Sequence, residues 1–117
     1  MNEPPFLIDG ALVRAYAALP PRSRALADGI PLDNASAVAI IESLAGGGAF
    51  LLFCNDDWET LAAEQHGDVE TARRVAQGQF PAIAWIDYRP LTEAEAEQVQ
   101  TTREFLRDLE RDFPGAV

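Results

Sequence analysis

The five residues Phe50-Leu51-Leu52-Phe53-Cys54 are apolar at every position. Successive side chains of an extended strand point to opposite faces, so a strand with one wet face alternates apolar and polar residues. An unbroken apolar run therefore predicts an interior strand covered on both sides. The run lies within Ala49 to Tyr88, AFLLFCNDDWETLAAEQHGDVETARRVAQGQFPAIAWIDY, which reads as strand, polar turn, strand, capped helix, strand. This stretch holds the only cysteine, the only histidine and both tryptophans.

Asn55-Asp56-Asp57 supplies side chains that fold back on their own backbone and close turns. Trp58 to Ala63 is predicted to resume as a second strand, with Trp58, Thr60 and Ala62 on one side and Leu61 on the other. Glu64-Gln65-His66-Gly67 reads as an exposed polar loop. Asp68 then opens a short helix over 68–78. Its carboxylate can accept from the free N–H groups of the first turn, and Glu70 complements the positive helix end. Val69, Ala72, Val75 and Ala76 form the apolar stripe. Gly78 is placed just past the helix end and Pro81 prevents continuation. Ile83-Ala84-Trp85-Ile86 is the next expected strand.

Upstream, Phe6-Leu7-Ile8 and the turn dipeptide Asp9-Gly10 form an ordered lead-in. Ala11–Leu19 is read as a strand in preference to a short helix, with Val13, Ala15, Ala17 and Leu19 on one face. Pro20 to Asn34 is loop-like. Asp28-Gly29 lies between Ala25-Leu26-Ala27 and Ile30-Pro31-Leu32, which predicts a small edge hairpin. Val38-Ala39-Ile40-Ile41 is a β-branched run and a strand. Gly46-Gly47-Gly48 joins it to the apolar strand. This triple glycine lacks the lysine and hydroxyl of a phosphate loop and precedes a strand, so it is a hairpin turn. The longest helix is expected over 92–113. Thr92 and Glu95 form a capping box, Val99, Leu106, Leu109 and Phe113 repeat at helical spacing with Phe105 beside them, and Pro114-Gly115 stops it.

The charge balance narrows the partners. Nineteen acids face nine bases, a net charge of −10. Every base is arginine, a lysine-free composition that fits a GC-rich bacterial coding sequence. Such a chain repels phosphate backbones and anionic membranes, so neither nucleic acid nor membrane is expected as a partner. A cationic protein is attracted. The N-terminal stretch shows no signal-peptide pattern and no apolar run approaches the roughly 20 residues that span a bilayer, so a cytoplasmic location is expected.

No catalytic constellation can be named. A lone histidine excludes any site that needs two within one chain. Cys54 is followed by Asn55, Asp56 and Asp57, a negative setting that raises a thiol pKa, and it reads as structural. A Cys54–His66 pair is the one nucleophilic arrangement the chain offers. Asp56, Asp57 and Glu59 form the tightest acidic cluster, but their spacing is not that of a calcium loop, and neither metal nor cofactor is expected. Glu93, Glu95 and Glu97 point in different directions around a helix. Trp58, His66, Trp85 and Tyr88 are the candidates to line a small-molecule pocket.

Leu51 to Trp58, Asp68-Val69-Glu70-Thr71-Ala72, Phe80-Pro81 and Trp85 together resemble a recurring module of small, uncharacterised bacterial proteins. In that module an apolar strand ends in an acidic turn and a tryptophan, followed by a helix and an aromatic-proline-glycine, tryptophan-bearing end. The resemblance covers about a third of the chain. Ala82 stands where the pattern has glycine. Some proteins with similar modules resemble immunity proteins of contact-dependent toxin systems, which implies a protein-masking role and no catalytic residues.

The expectation is a single α+β domain over residues 1–117: a mainly antiparallel sheet of four to six strands with a short internal and a longer C-terminal helix. Cover for both faces of the apolar strand comes from one helix on each face, or from both helices on one face and a second copy on the other, a homodimer. The leading function is a non-enzymatic acidic protein that masks a basic partner through Asp56, Asp57 and Glu59. The alternatives are a small-molecule-binding protein or enzyme with a pocket near Trp58 and Trp85, and a bacterial domain that acts only through an unknown partner.

Overall fold

The computed structural model describes residues 2–20, 26–27, 30–31 and 33–112. The fold is α+β. Strands β1 (Leu7–Ile8), β2 (Ala11–Ala18), β3 (Leu26–Ala27), β4 (Ile30–Pro31), β5 (Ala37–Glu42), β6 (Ala49–Cys54) and β7 (Thr60–His66) precede helix α1 (Val69–Gln79), strand β8 (Ile86–Asp87) and helix α2 (Glu93–Asp112). The main sheet is antiparallel, in the order β1-β2-β5-β6-β7, and β8 pairs with β2 beside β1. The expected edge hairpin exists as the separate pair β3-β4. Phe113, Pro114 and Gly115, the expected end of the last helix, lie outside the described residues.

The apolar run becomes an interior strand, flanked by β5 and β7. Leu51 and Phe53 point to one face, where they meet Val38 and Ile40 of β5, Ala72 and Ala76 of α1, and Phe80 and Ile83 beyond it. Phe53 and Phe80 pack edge to face with centroids 6.3 Å apart. Small alanines on α1 let the helix approach the sheet closely, which explains its narrow stripe. Val75 stays outside that stripe, 41 % exposed. Leu52 and Cys54 point to the other face and pack with Ile8, Val13, Ala39, Ile41 and Trp58.

That second face has a composite cover. Tyr16 stands at its centre, 5.8 Å from Trp58 and 6.1 Å from Tyr88, both edge to face. The extended lead-in crosses over these rings. Trp58 Nε1 donates to the Asn2 carbonyl (3.1 Å) and the Tyr88 hydroxyl donates to the Pro4 carbonyl (2.9 Å). α2 covers the other end of the same face, standing off from it.

Four local expectations are corrected. A bulge at Arg14 shifts the β2–β5 register between Val13 and Ala15. An extra residue in one strand reverses the facing of everything beyond it, so Val13 and Tyr16 join the aromatic face while Ala17 joins the α1 face. The strand expected from Trp58 begins at Thr60, and Trp58 itself has φ 61, a left-handed conformation that swings its ring to the face opposite Ala62. α1 runs through Gly78 to Gln79 and is capped at Phe80, whose N–H reaches the Ala76 carbonyl. Of the expected 83–86 strand only Ile86 pairs, together with Asp87 just beyond it, while Ile83 and Trp85 serve the core as an irregular segment.

Candidate functional site

The acidic turn sits at one end of the β6–β7 hairpin and its geometry starts from Asn55. The Asn55 side-chain oxygen accepts from the N–H of Asp57 and of Glu59, both at 3.0 Å, and its amide donates to the Glu59 carboxylate at 3.1 Å. The backbone closes the same loop through Asn55 N–H to Glu59 O and Trp58 N–H to Asn55 O, both 3.1 Å. The turn is therefore built by Asn55, and Asp56 and Asp57 are left to project outward. Both are exposed, as is Glu59. The Ser36 hydroxyl donates to Asp56 and ties the turn to the segment before β5.

An open cleft of about 410 Å³ lies beside this turn, bordered by Asp33, Ser36, Asn55, Asp56, Asp57 and Leu61. A second cleft of about 410 Å³ on the other side of Ser36 is lined by Asn2, Ala18, Asp56 and Trp58. Sequence reading missed Asp33 and Ser36, because β5 carries them to the turn only through pairing with β6. The ion pairs among the described residues join Arg14 to Glu42, Arg73 to Asp87, Arg89 to Glu3 and Glu95, and Arg111 to Asp108 and Asp112. None of them involves Asp33, Asp56, Asp57 or Glu59.

The four residues expected to share a pocket are dispersed. Trp58 and Tyr88 lie on the aromatic face with Tyr16. Trp85 lies on the α1 face, under the Arg73 guanidinium at 5.9 Å. His66 is the last residue of β7 and not part of a loop; it pairs with Ala49, is half-buried, and its Nε2 is enclosed without a partner. The Cys54–His66 pair does not form either. Cys54 pairs with Thr60 at the opposite end of the ladder, roughly 17 Å along the strand at the usual rise. Burial, with the Asp9 carboxylate adding to it, pushes the Cys54 thiol up to about 11. A protonated, enclosed sulfur is a packing group and a poor nucleophile.

Among the described residues no three histidine, cysteine or acidic side chains converge to hold a metal ion, and no helix is long and apolar enough to cross a membrane. Compared with protein-family models, curated proteins and solved structures, the chain matches none of them.

A third cavity lies between α2 and the aromatic face of the sheet. It measures about 550 Å³ and is walled by Ile41, Phe50, Leu52 and Ala63 on the sheet and by Phe105 and Leu106 on the helix. Phe105 is the most exposed large apolar side chain among the described residues, at 63 %. α2 is fastened at its start. Thr92 Oγ1 accepts from Glu95 N–H (3.1 Å) and Glu95 accepts from Thr92 N–H (2.9 Å), the predicted capping box. Arg89 grips the same carboxylate with two nitrogens, at 2.6 and 2.9 Å. The Arg89 hydrogen bonds, followed by that of Thr92 N–H, hold the Glu95 carboxyl down at about 2.

Proposed function

We propose that the protein is a non-enzymatic binding protein whose acidic turn engages a basic protein partner, in the way an immunity protein masks a toxin. The observation that supports this most is the combination at the turn. Asp56, Asp57 and Glu59 are exposed on a turn held by two backbone N–H bonds to the Asn55 side chain, with Asp56 steadied by Ser36, Glu59 by the Asn55 amide, and Asp33 across the cleft. Arg14, Arg73, Arg89 and Arg111 are drawn into ion pairs with other acids, and the chain carries a net −10 that would speed the approach of a cation. A preformed turn also binds with little loss of conformational freedom.

The test uses an arginine-rich peptide as a defined probe at low ionic strength. Asp56→Ala/Asp57→Ala is expected to weaken binding about tenfold or more and to flatten its salt dependence. A control pair on α2, Asp108→Ala/Glu110→Ala, removes the same charge far from the turn and is expected to change binding little. Equal losses from the two pairs would mean that the charge acts diffusely and that the turn is no site. A gene for a basic toxin beside this one would identify the partner.

A further inference from the structure

We infer that the layer of Tyr16, Trp58 and Tyr88 is a recognition groove for an extended, proline-containing segment of a partner protein, one with an acidic residue just before its proline, and that the chain's own residues 2–5 occupy this groove in cis. The occupant is Asn2-Glu3-Pro4-Pro5, which precedes β1 and belongs to no strand. Each proline lacks an N–H and pushes the residue before it toward extended or polyproline II backbone. Such a segment cannot lengthen β1 into a ladder, and its carbonyls need donors from elsewhere. The two rings that pack on Tyr16 supply them: Trp58 Nε1 donates to the Asn2 carbonyl at 3.1 Å and the Tyr88 hydroxyl to the Pro4 carbonyl at 2.9 Å. Aromatic faces for the prolines, with polar ring tips for the carbonyls between them, are the means by which grooves hold polyproline II segments.

The contacts also set the chemistry of a partner. Pro4 is fully buried while Asn2, Glu3 and Pro5 around it are exposed, so one proline ring is the anchor. Glu3 meets Arg89 at 3.2 Å. Arg89 is fixed for this, with its guanidinium over the Tyr88 ring at 5.1 Å and two nitrogens on Glu95. A carboxylate one residue before the anchoring proline is therefore read by a preset cation. At the other end Asn2 and Trp58 border a cleft that also carries Asp56, which favours a neutral or basic residue ahead of the acid. Trp58 is held at φ 61, a strained backbone for a bulky residue and a kind of strain that collects at binding sites.

The cis segment can be displaced. Its hold comes from two side-chain hydrogen bonds, one ion pair and one proline ring, with its outer side in solvent. Segments held so lightly open locally without global unfolding. Being tethered, residues 2–5 compete at an effective concentration of about millimolar, which makes them a built-in competitor that a partner must outbid.

The probe is the peptide acetyl-Asn-Glu-Pro-Pro-Phe-amide, titrated into the full chain and into a full-length Glu3→Arg/Pro4→Gly variant whose cis segment is weakened. The readout is the pair of tryptophan indole N–H resonances, with Trp85 on the opposite face as the internal control. The peptide is expected to bind the variant with a dissociation constant below about 1 mM and to return the Trp58 resonance to its place in the intact chain. Binding to the intact chain is expected to be at least about tenfold weaker. Alanine for the first proline of the peptide, or lysine for its glutamate, should weaken binding about tenfold or more, and adding Tyr88→Phe to the variant about fivefold. A folded variant that leaves the peptide unbound, binding indifferent to the proline, or a shift at Trp85 in place of Trp58 overturns the proposal. So does a variant that circular dichroism shows to be unfolded, since residues 2–5 are then core. Dimers of the intact chain that excess peptide dissolves also overturn it, and make a second copy's residues 2–5 the occupant.

Discussion

The turn between β5 and β6 offers a sharp quantitative test, because two of its glycines share a backbone constraint and differ in surroundings. Gly46 has φ +84 and Gly48 has φ +95, conformations that cost an L-residue roughly 1–2 kcal/mol. A methyl group added at Gly46 meets nothing within 4 Å, while one added at Gly48 lies 2.7 Å from the His66 carbonyl oxygen and 3.4 Å from that of Gly67. The first belongs to His66, the last residue of β7, which pairs with Ala49, and the second to the residue that follows it. Gly46→Ala is thus expected to cost about 1 kcal/mol net, since alanine also restricts the unfolded chain. Gly48→Ala carries the same cost and must also push the end of β7 away, breaking one or two ladder hydrogen bonds at about 1 kcal/mol each. The total is about 2–3 kcal/mol. With a urea slope of roughly 1–1.5 kcal/mol/M for a chain of this size, the midpoint should fall by about 2 M for Gly48→Ala and by less than about 1 M for Gly46→Ala. Equal midpoints would refute the close approach of the hairpin turn to His66.

Three further outcomes follow from the core and the titrating groups. Phe53→Ala removes a ring with no solvent exposure that packs on Phe80, and should cost about 3–5 kcal/mol in urea unfolding, against under about 1 kcal/mol for the half-exposed Val75→Ala. Glu95, held at about 2 in the folded chain, contributes stability that is complete above its unfolded value near 4.5 and is lost as pH falls from there toward 2. Unfolding midpoints measured across that range should drop, and Glu95→Gln should lessen the drop. Cys54 works in the opposite direction. Its folded value of about 11 exceeds the unfolded 9, so its contribution is complete below pH 9 and fades as pH rises to 11. At pH 8 an aromatic disulfide reagent should label Cys54 far more slowly in the native chain than in urea.

Much of the framework was legible because periodicity and turn chemistry report it locally. The apolar run of β6, the Asp68 cap, the Thr92–Glu95 box and the glycine hairpin all rest on residues within a few positions of one another. What escaped was set by longer-range geometry. The bulge at Arg14 reverses the facing of half of β2, yet Arg14 looks like any polar residue in an alternating strand. The left-handed backbone of Trp58 has no residue signature, because glycine, asparagine and aspartate are the usual occupants of that region. His66 read as loop because Glu64 and Gln65 are polar, but β7 is an edge strand and tolerates such residues. At the acidic turn the three carboxylates were visible, while Asp33 and Ser36 arrive only by strand pairing.

The two tethers that hold the aromatic layer join residues 56 and 84 positions apart, Trp58 to Asn2 and Tyr88 to Pro4. Closing such long loops is entropically costly and slow compared with forming a hairpin. On the ribosome, residues 2–8 emerge long before Tyr88 exists, so that face of the sheet can be sealed only near the end of synthesis. The β5–β6–β7 meander, whose contacts are local, can assemble first. The order of folding should therefore run against the order of synthesis, with the earliest residues among the last to dock.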